Sequence, residues 1–156
     1  GSEMCIRDRL RGTPQTGNAM TMRRLTEILH GGGWSLVVDN GAIRTFSGRG
    51  VSDLYGLLTR EPETLRGASV ADKVVGKGAA ALMVLGGVKE VYADVASAPA
   101  LGLFAAAGIR VVCREEVPHI VNRTRTGICP VERLCADCRT AGECLPRIGA
   151  FLENLP

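Results

Sequence analysis

The sequence predicts an α/β fold in which helices cover both faces of a mixed sheet of about four or five strands, a three-layer type of sandwich. Two observations carry this prediction. The order strand, helix, strand between Lys89 and Val117 is typical of a parallel pair joined by a right-handed crossover. The stretch WSLVVDNGAIRTFS, in which two β-rich runs flank Asn40-Gly41, is typical of an antiparallel hairpin with a tight turn.

The first elements are helices on either side of this hairpin. Residues 22–31 are predicted to form a short amphipathic helix that ends at Gly31. After the hairpin, residues 50–65 are predicted to form a second helix, with Ser52 as its N-cap. Leucines at helical spacing give both segments one apolar face, so we expect each to pack on the sheet.

A third helix is predicted from Val70 to Leu85. Ser69 and Asp72 form an S-x-x-D capping signature at its start, and Gly86-Gly87 follows its end. The remaining elements continue the alternation as a strand over residues 89–95, a helix over 97–108, a strand over 109–117, a loop over 118–128, and two helices over 129–138 and 141–155.

Composition restricts the class of protein. The 156 residues are 46% hydrophobic and 22% charged, which is typical of a globular domain. A net charge of +3 and an aromatic content of 4% argue against a nucleic-acid partner. No apolar run is long enough for a membrane span. We therefore expect a small-molecule ligand, with neither nucleic acid nor membrane as a partner.

Residues 1–19 differ from the rest, because they are polar and basic and have no apolar periodicity. The stretch SEMCIRDR also resembles the translation of a sequencing adapter. We therefore expect residues 1–19 to be a disordered or artefactual extension, the natural start to be Met20 or Met22, and residues 20–156 to form one domain. No signal-peptide pattern is present, and a cytoplasmic location is expected.

Five cysteines remain in the predicted domain, at positions 113, 129, 135, 138 and 144. An odd number argues against a disulfide framework and for a reducing compartment. The spacing of Cys129, Cys135, Cys138 and Cys144 is C-x5-C-x2-C-x5-C, whose outer spacings are not those of a common zinc finger. No cofactor is therefore predicted, and zinc on these four thiols is the minor alternative to a buried core.

Two stretches, ASVADKVVGKGAAALMVLGGVKEVYADVAS and VPHIVNRTRTGICPVERLC, resemble a bacterial and archaeal family of unknown function. By fold, that family is grouped with the cytidine deaminase-like superfamily. The resemblance covers residues 22–153 and implies a cytidine deaminase-like fold without implying an activity.

Deaminases carry H-x-E or C-x-E on the helix after the hairpin and P-C-x-x-C on the next helix. The resemblance implies that Gly76 and Gly78 stand at the first motif, while the next helix begins with Pro99 and no cysteine. It therefore implies a domain without the zinc site or zinc-dependent deaminase chemistry.

Gly76 and Gly78 interrupt the predicted third helix, and each internal glycine costs a helix about 1 kcal/mol relative to alanine. One interpretation is that they admit a small anionic or nucleotide-like ligand, with Lys73 and Lys77 on one helix face to meet its charge. The alternative is close packing against the sheet or against a second copy of the chain.

Other polar residues are candidates for the same ligand site. Asp94 and Ser97 are predicted where a strand ends and the next helix begins, the edge at which open α/β sheets bind ligands. Asn122 and Arg123 belong to a polar loop, and Arg123 could hold a phosphate or carboxylate. His30 is predicted to be only a helix-terminal residue.

A thiol enzyme is the second hypothesis. Cys129 precedes Pro130 and is the predicted N-cap of a helix, a position that favours the thiolate, and His119 in the preceding loop is a candidate base. An inert buried cysteine is the alternative, and Glu132 at the third helical position can satisfy the local backbone. A third hypothesis is a structural or interaction module that forms a homodimer.

Overall fold

The computed structural model describes residues 5–6, 16–48, 51–121 and 126–154. In chain order its strands are β1 (Cys5–Ile6), β2 (Leu36–Asp39), β3 (Ile43–Phe46), β4 (Ser69–Val75), β5 (Glu90–Ser97) and β6 (Arg110–Val117). Its helices are α1 (Thr16–Gly31), α2 (Ser52–Arg60), α3 (Pro62–Leu65), α4 (Lys77–Gly86), α5 (Ala98–Ala107), α6 (Pro130–Leu134) and α7 (Ala141–Glu153).

The strands form one mixed sheet in the order β1-β6-β5-β4-β2-β3. The predicted hairpin is confirmed: β2 and β3 are antiparallel with Asp39 opposite Ile43, and Gly41 takes φ +92° in the connection. The predicted parallel pair is also confirmed, because β5 runs parallel to β6 and also to β4. Besides the two-residue β1, the sheet thus has five strands, which agrees with the expected four or five, although β4 was not among the strands predicted.

Helices cover both faces of the sheet. On one face, α1 buries Leu25 and Leu29 against Val37, Ala71 and Tyr92. On the other face, the remaining helices build the larger core over a row that includes Val38, Val70, Val91 and Val111. Successive residues of β2, β4 and β5 alternate between these two clusters, as expected for strands buried on both faces.

The predicted helix start at Val70 is wrong. Residues 69–75 form β4, which pairs with β2 on one side and β5 on the other, and α4 begins only at Lys77. The S-x-x-D signature is a local signal, whereas Val70, Val74 and Val75 favour a strand and occupy the centre of the sheet. Lys73 and Lys77 therefore do not share a helix face.

Three smaller boundaries also differ from the sequence prediction. The helix expected over residues 50–65 is divided into α2 and α3 at Glu61, where Pro62 begins the second helix. Val51 rather than Ser52 is the N-cap of α2, and β5 continues to Ser97, so that Asp94 lies inside the strand and not at its end. The first helix begins at Thr16, ahead of the expected residue 22. The extent of the domain itself stays a prediction.

In the described parts of the chain, no helix is both long enough and apolar enough to cross a membrane.

Candidate functional site

A cavity of about 360 Å³ lies where β4 ends and α2 and α4 begin. We call it the Asp72 cavity, after the carboxyl in its wall. Most of the wall is apolar, and it includes Leu36, Val51, Val74, Ala79, Ile120 and Val131. At its rim, Val74 and Val121 are 48% and 50% exposed. One side of the cavity is formed by Ile120 and Val121 together with the start of α6.

Asp72 is the central polar group of this cavity. Its side chain is 8% exposed and shares the face of β4 that carries Val70. Burial raises the pKa of Asp72 to about 7, opposed by hydrogen bonds from the N–H groups of Val74 and Lys73 and assisted by the carboxylates of Asp94 and Asp53. Asp72 therefore exchanges its proton near neutral pH.

Asp53 supplies a second carboxylate to the wall. It lies in the first turn of α2, and its Oδ2 accepts a hydrogen bond from the N–H of Gly48 at 2.8 Å. Neither Asp53 nor Asp72 was predicted from the sequence to line a cavity. Hydrophobic positions on both sides of Asp72 were the available signal, since a lone carboxyl inside an apolar strand is seldom placed without a partner or function.

Glu132 closes the cavity from the side of α6. It is 5% exposed, and its two oxygens accept from the N–H of Lys77 at 2.6 Å and the N–H of Ile120 at 2.7 Å. Gly76, the N-cap of α4, has no side chain to provide that bond. Glu132 therefore caps α4 across 55 sequence positions instead of satisfying the start of its own helix.

Lys77 connects the same two parts of the chain, with its side chain reaching from α4 to the residues after α6. Its Nζ donates to the carbonyl oxygens of Cys138 at 2.6 Å and Ala136 at 3.2 Å, just beyond the end of α6. The side chain is buried and does not line the Asp72 cavity. Lys77 and Glu132 thus fasten α4 and the α6 segment to each other from opposite ends, and the lysine ammonium is already engaged.

The glycines are explained by the same contact between α4 and α6. A Cβ on Gly78 would lie 2.4 Å from Cγ1 of Val131, and a Cβ on Gly76 would lie 3.1 Å from Oε1 of Glu132. Both distances are shorter than ordinary van der Waals contact. Gly78 therefore makes room for a neighbouring helix of the same chain, and both glycines also border the cavity.

Gly78→Val is expected to lower the free energy of unfolding by about 2 kcal/mol, because overpacking forces Val131 and α6 to move. Urea denaturation measures the loss, and Gly78→Val combined with Val131→Ala should recover part of it. Gly102 of α5 provides the control, since a Cβ there meets nothing within 4 Å. A loss as large for Gly102→Val as for Gly78→Val would contradict the packing argument.

The predicted thiol pair is not brought together in the cavity. Cys129 is half-buried, precedes α6 as its N-cap and lines the cavity, as predicted for the helix boundary. His119 is exposed and does not line it. Cys129 instead shares the cavity with carboxyls, among them that of Asp72.

Asp94 belongs to a different cluster. Its oxygens lie 2.8 and 3.0 Å from Nε2 of His30, and the hydroxyl of Tyr92 donates to its Oδ1 at 2.5 Å. Tyr92 belongs to the core face that α1 covers, so this cluster lies across the sheet from the cavity. His30, expected to be only a helix-terminal residue, therefore joins α1 to β5.

Four further residues were predicted for the ligand site, and they have different outcomes. Ser97 is buried and acts as the expected N-cap of α5, since its Oγ accepts from the N–H of Ala100 at 3.2 Å. Lys73 follows Asp72 in β4 and borders the cavity. Asn122 and Arg123 lie outside the described residues.

The remaining cysteines pack together beneath α4. Cys135, Cys138 and Cys144 are buried, and burial raises the pKa of the Cys135 and Cys144 thiols. Among the residues that the structure describes, no three or more His, Cys, Asp or Glu side chains are arranged to hold a metal ion. These thiols serve the core, between α6 and α7.

Comparisons with known proteins give a family and a fold. A family model described as "TM1506: Domain of unknown function (DUF1893)" matches residues 24–152. The crystal structure of a DUF1893 family protein (TM1506) from Thermotoga maritima is similar, with a TM-score of 0.77 and 25% sequence identity over 83% of this chain and 88% of that chain. No curated protein matches the chain significantly.

Proposed function

This chain belongs to the DUF1893 family, a domain of unknown function, and on that premise we propose that it binds a small molecule in the Asp72 cavity. One observation carries the proposal: a carboxyl that is 8% exposed, with a pKa of about 7, faces a cavity whose wall is mostly apolar. Burying such a group destabilises the fold, and perturbed carboxyls of this kind concentrate where a ligand or a reaction uses them.

The cavity has the build of a ligand pocket. Small-molecule sites are concave and mostly apolar, with a few polar groups that fix the orientation of the ligand. Here the polar groups include the carboxyls of Asp53, Asp72 and Glu132 and the Cys129 thiol, and side chains such as Leu36 and Val131 supply the apolar wall. The size of about 360 Å³ falls within the usual range for such sites.

The cytidine deaminase-like grouping is part of this proposal. If this grouping is right, the two deaminase motifs correspond to other residues than the sequence analysis expected. The helix that follows the hairpin is α2, and the helix that follows the next strand, β4, is α4. The counterparts become residues 51–53 and 76–79, at the starts of α2 and α4, and both segments border the cavity. Of these residues, only Asp53 resembles a residue of the deaminase motifs.

A thiol-dependent activity is the second candidate, favoured by one observation. Cys129 and Asp72 border the same cavity, and a carboxyl that titrates near neutral pH can accept a thiol proton. Labelling of Cys129 by iodoacetamide in the folded protein, slowed in Asp72→Asn, would support this activity. Labelling that requires denaturant would contradict it.

The homodimer and the cytoplasmic location stay predictions. The structure explains Gly78 by packing within the chain, so that glycine no longer argues for a second copy.

A fragment screen followed by amide NMR tests the proposal. We expect the fragments that bind to shift the signals of Val74, Ala79 and Val121, which border the cavity. Val121→Trp should block these shifts by filling the rim, because bulk placed at the mouth competes with the ligand. Leu85→Trp is the matched control, since Leu85 is an exposed apolar residue that does not border the cavity. A screen in which no fragment shifts these signals, or in which Val121→Trp has no effect, would overturn the proposal.

A further inference from the structure

We propose that the Asp72 cavity takes a planar cationic nitrogen group, an amidinium or a guanidinium, carried on an apolar body. This inference rests on the proposed function and names its ligand class. It departs from the anionic ligand that the sequence favoured, and the reason is the charge that the described side chains place around the cavity.

Three of the four described charged residues of the wall are carboxyls, and the fourth is Lys73. Asp53 and Asp72 face the cavity and Glu132 lies at its side. Lys73 also borders the cavity, but one ammonium does not balance three carboxyls. Lys77 donates to carbonyl oxygens elsewhere. An anion entering here would meet like charges in an apolar environment, where they repel strongly.

The carboxyls are not equally available to a ligand. Glu132 uses both oxygens on the N–H groups of Lys77 and Ile120, and Asp53 accepts from Gly48. Asp72 accepts only from main-chain N–H groups, those of Val74 and Lys73, among the described residues. A carboxylate has about four lone-pair positions, so roughly two remain for a ligand.

A planar nitrogen cation matches the free oxygen lone pairs of the Asp72 carboxylate in charge and geometry. Amidinium and guanidinium groups present two parallel N–H donors, which pair with the two oxygens of a carboxylate. The attraction of the cation also offsets the unfavourable free energy of ionising a buried carboxyl, which a neutral ligand does not offset. The apolar wall, with Leu36, Val51 and Ile120, then contacts the rest of the ligand.

Three probes of nearly equal shape test the charge preference: benzamidine, benzamide and benzoate. We expect benzamidine to bind on the order of tenfold more tightly than benzamide, and benzoate to bind most weakly, because charge-assisted bidentate pairs are about twice as strong as neutral ones. Binding of benzamidine should strengthen between pH 6 and pH 8, as Asp72 ionises with its pKa of about 7.

Asp72→Asn should remove both the preference for benzamidine and its dependence on pH. Asp39→Asn is the matched control, because Asp39 also accepts a main-chain N–H, that of Gly41, but does not border the cavity. Benzamidine binding that is lost in Asp72→Asn and kept in Asp39→Asn would support the proposal.

Other outcomes overturn the ligand class. Equal binding of the three probes, tightest binding of benzoate, or no binding of benzamidine would each contradict a cationic ligand. If fragments of another charge still shift the signals of Val74 and Ala79, the small-molecule function stands and only the ligand class is wrong. If no fragment shifts them, the function itself fails.

Discussion

Glu132→Ala is expected to lower the free energy of unfolding by about 4 kcal/mol, because it removes two hydrogen bonds to a carboxylate and leaves two buried N–H groups without acceptors. Those groups belong to Lys77, the first residue of α4, and to Ile120 in the cavity wall. Small domains are stable by about 5–15 kcal/mol in total, so this single change approaches the limit of folding. Urea denaturation at neutral pH measures it.

Two variants keep the Glu132 prediction falsifiable. Glu132→Gln retains one acceptor oxygen and should lose about half as much as Glu132→Ala. Glu143 is the control, since its Oε1 also accepts a main-chain N–H, that of Arg139, but at an exposed site. Glu143→Ala should cost less than about 1 kcal/mol, because water replaces the lost acceptor. If both substitutions lowered the free energy of unfolding equally, burial would add nothing to the stabilisation by Glu132, which would contradict the prediction.

Asp72→Asn is expected to raise the free energy of unfolding by about 3 kcal/mol at pH 8, with the gain shrinking toward zero as the pH falls to 4. The sign follows from the direction of the pKa shift. Burial raises the pKa of Asp72 from 3.8 in the unfolded chain to about 7 in the folded chain. Between these values the unfolded chain is ionised and the folded chain is protonated, so rising pH favours unfolding until the folded carboxyl ionises.

Denaturation curves at several pH values check the Asp72 prediction. The wild-type protein should lose stability from pH 4 to pH 7, and the difference between Asp72→Asn and the wild-type protein should appear over the same interval. Asp39→Asn should follow the wild-type curve, because Asp39 lies at the end of β2 beside an exposed turn. A pH-independent difference would mean that Asp72 is ionised throughout.

Local signals were sufficient for much of the fold. Two β-rich runs around Asn40-Gly41 determine a hairpin because turn and strand preferences act within a few residues. Ser97 and Gly108 delimit α5 for a similar reason, since a cap side chain and a left-handed glycine act within one turn. Membership in a family of unknown function was also predicted and is confirmed by the match over residues 24–152.

Local signals failed where two of them competed. Ser69 and Asp72 have the spacing of a helix cap, yet residues 69–75 form the strand between β2 and β5. The neighbouring strands decide this, because they provide hydrogen bonds and a buried environment for Val70 and Val75 that an isolated segment lacks. The interpretation of Lys73 and Lys77 as one basic helix face depended on that helix and is wrong with it.

The sequence by itself determined the class of fold, its hairpin and its parallel pair, because periodicity, turns and caps are properties of short segments. The family followed separately, from the resemblance of two stretches of the sequence. Only the tertiary structure decided what faces the cavity. In the folded chain, Asp72 of β4 lines the same cavity as Cys129 and Glu132, which follow β6 in the sequence. Lys77 is bound to the carbonyl oxygen of Cys138, beyond the end of α6, and Asp94 lies on the other face of the sheet with His30. Contacts between residues more than fifty positions apart, such as the bond from Lys77 to Glu132, follow from packing and leave no local pattern to read.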